Sequence, residues 1–349
     1  MTERPLKISI FSFDLPSQAC AQLRLLLPLF QFRDQVEFAW EVKNNGTKYM
    51  LSPDAGRDAD LLILQRGFPS PETVEIMEDL LNLGKPLIYE VDDDLLHLPD
   101  SHPLLEKAEA SLEAVTTLAR QARGITVSTS VLAQTFADLN PKAWVLPNLI
   151  LEQAFPDSAR PVRPTRGPVV VVYAGTVTHA EDLDLLEEPM RRIAERHGQG
   201  VLFKFYGCEP KFLPGPIKAQ CLPFDQDYLS YVRRLPRLGG HIALAPLKDN
   251  PFNRAKSNIK WLEYSACGLA GVYADLPPYA DCVVPGETGL LAGPDPEAWF
   301  EALDELVSDP VRRLNMAAQA REAALSGYSL AARAGEFLAC WREAAGRSC

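Results

Sequence analysis

PFNRAKSNIKWLEYSACGLAGVYADLPPYADCVVPGETGLL, residues 251–291, is the stretch on which the fold turns. Its middle, Lys256–Cys267, has the spacing of a helix. Ile259, Leu262 and Ala266 fall at i, i+3 and i+7 and make an apolar stripe, while Lys256, Lys260 and Glu263 fall at i, i+4 and i+7 on another face. Gly268 follows as a helix stop, and an apolar strand, Gly271–Ala274, comes next. Because the helix follows another apolar run, His241–Ala245, its N-terminus is expected beyond the carboxyl end of a strand. Unpaired N–H groups and partial positive charge suit such an end to phosphate, and a lysine in the first turn adds to this. Glu263 then lies about 10 Å further along the axis at ~1.5 Å per residue, roughly the reach from a diphosphate to the ribose of the same nucleotide. A carboxylate accepts from two vicinal hydroxyls. An ordinary solvated helix face, whose charged pairs are worth only a few tenths of a kcal/mol, explains the same spacing.

Outward from this segment, short apolar runs alternate with longer helix-periodic ones, the pattern of α/β architecture with parallel sheets covered by helices. In the first half the expected strands are Lys7–Phe13, Asp60–Gln65, Pro86–Val91, Gly124–Ser128 and Ala143–Leu146, with helices at Ala19–Phe30, Pro71–Asn82, Leu104–Arg123 and Ser130–Asn140. Phe155–Pro168 holds four prolines among polar residues, a linker composition. The alternation then restarts. Strands are expected at Val169–Ala174, Val201–Tyr206, His241–Ala245 and Gly271–Ala274, and helices at Asp182–His197, Asp225–Leu235, Lys256–Cys267 and Pro296–Ser308. Two more helices, near Val311–Ala324 and Ser329–Ala345, end the sequence. The reading is two Rossmann-like domains, 1–160 and 161–328, facing across a cleft, with 329–349 crossing back to the first. Ligands of open parallel sheets bind beyond the carboxyl ends of the strands.

Composition narrows the function classes. The 349 residues carry 35 basic and 46 acidic side chains, a net charge of −11, and 15 of the basic and 23 of the acidic ones fall in the first 165. Nucleic-acid binding through phosphates needs concentrated positive charge, so no nucleic-acid partner is expected. The seven cysteines include no C-x-x-C pair, which reads as reduced thiols in a cytoplasmic protein. A polar start running into a strand argues against a signal peptide, and no apolar run has the length of a membrane span. G-x-S-x-G, H-E-x-x-H and Walker motifs are all missing from the sequence.

Glu263-Tyr264-Ser265-Ala266-Cys267-Gly268, followed by Gly286-Glu287-Thr288-Gly289-Leu290-Leu291, resembles the donor-binding segment of retaining GT-B glycosyltransferases, the large "glycosyl transferases group 1" family. The family pattern is Glu-Ala-x-Ala-x-Gly ahead of an apolar strand, then Gly-x-x-Gly-Leu-Leu. Val169–Gly175 with Thr176 is similar to the first strand and phosphate-facing loop of the family's C-terminal domain, and Val145–Leu149 to its Val-Ile-Pro-Asn segment. Cys221–Phe224 stands where relatives place the nucleobase loop, which implicates Pro223 and Phe224. The resemblance implies that Glu263 holds the donor ribose and that Gly175, Thr176, Ser257 and Lys260 belong to the donor site. The sequence departs from the family at one place: the first glutamate of E-x7-E is Ala255, followed by Lys256. Lys256, with Arg254 as the alternate, is therefore expected to supply positive charge to the departing diphosphate.

Further candidates lie outside that segment. Gly175–Asp182 reads as a glycine-and-threonine turn that cradles phosphate, with Thr178 or His179 bonding an oxygen and Asp182 orienting the histidine. A capping box from Thr178 to Glu181 accounts for the same residues. Asp92-Asp93-Asp94 directly follows a strand. Adjacent carboxylates repel unless a cation or donors offset the cost. One reading is a metal site resembling the Asp-x-Asp motif of the GT-A fold, with Asp92 and Asp94 as ligands. The preferred one is the GT-B acceptor edge, where Asp92 or Asp93 takes the acceptor proton or contacts the sugar, with Asp94 and His97 beside them and no metal. His97 is also read as a plain loop histidine. Arg24 is an odd choice on an apolar helix unless it reaches the acceptor side or a carboxylate. Trp144, Trp261, Trp299 and Trp341 read as core or interdomain anchors rather than sugar-stacking platforms.

These readings converge on an enzyme, a glycosyltransferase moving a sugar with retention from a nucleotide-diphosphate donor (UDP-, GDP- or dTDP-linked) to a hydroxyl of a saccharide, a protein or a small molecule. No cofactor is expected beyond that co-substrate, and no metal requirement. A sugar-nucleotide epimerase and a non-catalytic scaffold subunit are the alternatives of the same fold.

Overall fold

The structure is a computed structural model that describes residues 4–44, 49–155, 167–213 and 217–347. Most of the expected linker, residues 156–166, lies outside the described residues, as does Cys349. By contact the chain divides into two units, Met1–Asn148 with Ala255–Ser257 and Arg333–Cys349, and Leu149–Arg254 with Asn258–Ala332. The change-over therefore falls at residue 148, ahead of the proline-rich stretch.

The first unit is a six-stranded parallel sheet. Its strands are β1 (Leu6–Phe11), β2 (Val36–Trp40), β5 (Leu61–Gln65), β6 (Leu87–Val91), β7 (Gly124–Val127) and β8 (Ala143–Val145), in the spatial order β2-β1-β5-β6-β7-β8. A two-residue antiparallel ladder, β3 (Lys43–Asn44) and β4 (Tyr49–Met50), follows β2. The helices are α1, an unbroken run of Ala19–Ala21, the π-helical turn Gln22–Leu26 and Leu27–Gln31, then α2 (Val74–Asn82), α3 (Leu105–Gln121) and α4 (Ser130–Thr135). β5, β6 and β7 are buried at every position, as strands covered on both faces must be. The register places Gln65 beside Glu90 and Val91 beside Val127, so β5, β6 and β7 end almost level.

The second unit repeats the plan with β9 (Val169–Ala174), β10 (Val201–Tyr206), β11 (Ala219–Leu222), β12 (Ile242–Ala245), β13 (Ala270–Ala274) and β14 (Leu290–Ala292). Their parallel order, β11-β10-β9-β12-β13-β14, reverses direction between β9 and β12, the switch point at which such sheets bind ligands. The helices here are α5 (Glu187–His197), α6 (Tyr228–Arg234), α7 (Pro251–Arg254), α8 (Ile259–Ala266), α9 (Pro277–Ala280), α10 (Pro296–Ser308) and α11 (Pro310–Tyr328). A last helix, α12 (Leu330–Ala345), joins the first unit from Arg333 onward.

The sequence expectation misses the edge strands β2, β11 and β14. Edge strands bury one face or less, so they lack the continuous apolar run by which central strands are recognised. The expected helix Lys256–Cys267 is also corrected, because α8 begins at Ile259 after Asn258. Ala255–Ser257 is held instead by the first unit, where Ala255 is 0% exposed within the apolar core and its carbonyl accepts from Thr129 Oγ1 at 2.9 Å. The far end of α8 is as expected. Gly268, at φ +73°, lets its N–H reach Ser265 O and the Leu269 N–H reach Tyr264 O, the paired bonds of a Schellman stop.

Candidate active site

α8 is buried on every side from Lys260 to Ala266, against β13 on one face and α11 on another, so neither the two-faced helix nor the solvated face survives. Lys260 sits in its first turn and donates from Nζ to the carbonyl of Ala174 at 2.7 Å. One turn on, the Tyr264 hydroxyl donates to the same carbonyl at 3.2 Å and accepts from the Ala174 N–H at 2.9 Å. These bonds dock α8 onto the carboxyl end of β9, immediately before Gly175. A Cβ on Gly175 would lie 2.6 Å from Tyr173 Oη and 2.9 Å from Lys260 Nζ. Gly207, at φ +91° beyond β10, approaches so closely that a Cβ there would lie 2.5 Å from Gly175 O. Side chains at either place would close the turn.

Past Gly175 the chain does not open a helix. It makes two short 3-10 turns, Val177–His179 and Asp182–Leu186, before α5 starts at Glu187. The capping box is absent too: Thr178 Oγ1 lies 2.6 Å from Thr176 Oγ1, and no side chain caps the turn. Asp182 ties the turn to the segment that follows β12, at Lys248 and Asn253. One carboxylate oxygen lies 2.9 Å from His179 Nδ1, and the other accepts from the Lys248 N–H at 2.8 Å and Asn253 Nδ2 at 3.0 Å. Pro223 and Phe224 follow β11, which contains Cys221 and Leu222, and Phe224 is half exposed. Arg254 is exposed and pairs with Asp249 at 2.7 Å.

Glu263 is not on an open face. It is 4% exposed and accepts the Tyr231 hydroxyl at 2.9 Å, with Tyr228 bonded to it as well. Tyr231 in turn stacks on Tyr206, ring centroids 5.3 Å apart. Burial pushes the Glu263 carboxyl up to about 7, against the pull of Tyr231, Lys260 and Tyr228. In the described state, tyrosine hydroxyls stand where the expectation put those of a ribose.

In the first unit the carboxyl ends of β1, β5 and β6 gather an ionic cluster. Arg66, the first residue past β5, holds the left-handed conformation at φ +48°, which is uncommon for a non-glycine residue. Its guanidinium lies 3.1 Å from Asp92, 2.9 Å from Asp93 and 3.6 Å from Asp14, and donates to Cys20 Sγ at 2.7 Å. Burial alone would lower the Arg66 pKa, but the neighbouring thiol and carboxylates outweigh it and the net shift is upward. Asp93 also lies 3.8 Å from Lys256 Nζ, and Ser257 Oγ accepts from Asn148 Nδ2 at 2.9 Å.

Asp94 departs from this cluster. At 2% exposure its carboxylate accepts from the Leu96 N–H at 3.1 Å and meets His97 Nδ1 at 2.9 Å, the pattern of a turn cap. Asp92 and Asp94 thus face different partners, Asp92 the Arg66 guanidinium and Asp94 its own turn and His97, in place of a shared ligand set. His97 lies beside a shallow groove with Glu109, Leu112 and Asp138. Arg24 is corrected as well. It is wholly buried, bonded to Glu90 at 2.7 Å, to the Leu146 carbonyl and to Asn148 Oδ1 at 3.1 Å, so it reaches a carboxylate and no acceptor surface. Trp261, Trp299 and Trp341 are buried anchors, whereas Trp144 is partly exposed and donates to Glu343 at 3.0 Å.

Sequence reading overlooked Arg66, Asp14 and Tyr231. Arg66 carried a usable signal, a cation at the first position past an apolar parallel strand. Tyr231 carried only its spacing from Tyr228, a helical i, i+3 pair. Among the described residues no group of three or more His, Cys, Asp or Glu side chains is arranged to hold a metal ion, and no helix is long and apolar enough to cross a membrane.

Residues 232–339, which contain α8 and Glu263, match the family described as glycosyl transferase-like. No curated protein matches the chain by sequence. Among solved structures, sucrose-phosphate synthase from Thermosynechococcus elongatus superimposes with a TM-score of 0.70 over 97% of this chain and 98% of its own, at 13% identity. HepE of Anabaena in complex with UDP and glucose gives 0.69 over 97% and 100%, at 14% identity. The α,α-trehalose-phosphate synthase (UDP-forming) of Burkholderia vietnamiensis gives 0.66 over 99% and 98%, at 14% identity. At such identities the likeness is one of fold, and the fold is GT-B. The chain thus has the GT-B fold, and its residues 232–339 carry the glycosyl transferase-like signature.

Proposed function

We propose that the protein transfers a sugar, with retention of anomeric configuration, from a nucleotide-diphosphate donor to a hydroxyl of a saccharide, protein or small-molecule acceptor in the cytoplasm. UDP is the nucleotide to test first, since HepE is solved with UDP and with UDP-glucose and the Burkholderia synthase is named UDP-forming. The observation that carries the reading is the docking of α8 on β9. Lys260 and Tyr264, from the segment that matches the transferase family, hold the Ala174 carbonyl at the switch point, directly before the Gly175 turn.

In this reading the backbone of Gly175 and Thr176 receives the diphosphate, with Thr178 and His179 bonding its oxygens and Asp182 holding the histidine ring. Glu263 grips the ribose, whose hydroxyls replace that of Tyr231, and Pro223 and Phe224 meet the base. Lys256, with Arg254 as the alternate, supplies positive charge to the leaving diphosphate, an interaction that strengthens as charge develops in the transition state. Asp92 and Asp93, fixed by Arg66, serve the acceptor hydroxyl.

Calorimetry with UDP, GDP and dTDP tests the donor half. One of the three is expected to bind, and Glu263→Ala to weaken it at least tenfold. No binding of any of them, or unchanged binding in Glu263→Ala, overturns the assignment. Proton couplings of the product's new glycosidic bond test retention, and an inverted anomer removes it.

A further inference from the structure

One cavity of the first unit has no role in the foregoing. It measures about 300 Å³ and lies beyond the carboxyl ends of β1 and β2, with Ser12, Phe13, Asp14, Trp40, Lys43 and Tyr49 in its lining. The sheet reverses between β1 and β5, so the cavity lies on the β2 side of β1, next to the unit's switch point.

Its chemistry is divided. Phe13 and Tyr49 pack with ring centroids 4.5 Å apart, and Phe13 is backed by Phe68 at 5.4 Å and by the Lys107 ammonium at 5.6 Å. Phe13 is thereby fixed, while Tyr49 remains 53% exposed. Asp14 supplies the polar element. Its N–H donates to Ser12 Oγ at 3.1 Å, and its buried Oδ2 has no hydrogen-bond donor, only Arg66 Nη1 at 3.6 Å. A quarter of the Asp14 side chain stays exposed.

We propose that this cavity binds one pyranose ring of a saccharide, its C–H face on Trp40 and Tyr49 and a hydroxyl donating to the Asp14 carboxylate. A pyranose has this dual character, an apolar face rimmed by donors. An alkyl chain needs a continuous apolar lining, which Ser12, Asp14 and Lys43 interrupt, and 300 Å³ is at the small end of ligand sites, the scale of a single ring. Binding follows from the cavity alone; that the bound sugar is the acceptor rests on the transferase reading. Arg66 joins the two, because the guanidinium that meets Asp14 also meets Asp92 and Asp93.

Saturation-transfer NMR on the full chain, without nucleotide, tests this with methyl gluco-, galacto- and mannopyranosides and with octanol as the apolar probe. At least one methyl pyranoside is expected to show transfer at its ring protons. The signal is expected to be lost in Trp40→Ala and in Tyr49→Ala, each with native circular dichroism, and kept in Phe30→Ala, an exposed aromatic outside the cavity. Absence of transfer to any pyranoside, transfer to octanol alone, or transfer that persists in both cavity variants overturns the proposal. UDP calorimetry on the same samples keeps the two readings apart. Sugar binding without nucleotide binding sinks the donor assignment only, and the converse sinks this cavity only.

Discussion

Glu263→Gln is the most informative single substitution, because burial of this carboxyl has a calculable consequence. The amide keeps an oxygen for the Tyr231 hydroxyl and cannot ionise. In the wild type, burial lifts the carboxyl from 4.5 to about 7. At about 1.4 kcal/mol per pH unit of separation, the folded state gains on the order of 3 kcal/mol from holding this proton. The folded value is the raised one, so the contribution is complete below about pH 4.5 and disappears as pH climbs through about 7. The wild type is therefore expected to lose roughly 2–3 kcal/mol relative to Glu263→Gln between about pH 5 and about pH 8. Calorimetric unfolding of both proteins at several pH values measures the difference directly, and comparing the pair cancels every other titrating group. The two units need not unfold together, so the transition to follow is the one that the substitution moves. Parallel stability curves for the two proteins would refute the reasoning, since they would mean that Glu263 is already ionised in the fold.

Two other predictions concern the first unit. Arg24→Met leaves Glu90 buried without its cation and is expected to cost about 3–5 kcal/mol in urea denaturation, whereas adding Glu90→Leu is expected to recover part of that loss; additive losses would show that the two do not act as a pair. Ala255→Glu restores the residue type that relatives carry there, yet the site is 0% exposed inside the apolar core. It is expected to destabilise the protein by several kcal/mol rather than to raise turnover, as read by thermal melting. A stable, more active variant would mean that the position is not sealed.

The departure at Ala255 and the start of α8 at Ile259 have one explanation. Relatives with the E-x7-E pattern carry a polar residue at that place, whereas here the three residues before Asn258 are drawn into the first unit, with Ala255 filling its core and Lys256 beside Asp93. Helical periodicity counted from residue 256 could not reveal this, because nothing local distinguishes a first helical turn from a strand of chain captured by distant residues. The Asp92–Asp94 stretch shows the same limit. Three adjacent carboxylates announced that some offsetting group must exist, but whether it was a metal, a guanidinium or backbone donors was not legible. For Asp92 it is Arg66, and for Asp94 a turn N–H and His97.

What the sequence determined by itself was the two-fold βαβ plan, the buried strands such as Val169–Ala174 and Val201–Tyr206, the stop at Gly268 and the turn at Gly175. Each of these is encoded by neighbours in the chain, through period-2 or period-3.6 burial or through a glycine where a side chain would clash. Tertiary structure alone decided the charges and their partners. Arg66 and Asp92 are brought together because β5 and β6 are adjacent in the sheet, and Tyr231 on α6 reaches Glu263 on α8, 32 positions further along the chain, only in the folded protein. Electrostatic pairing depends on separation in space, and strand order sets that separation, so a carboxylate that looked solvated in the sequence is enclosed by tyrosines in the fold.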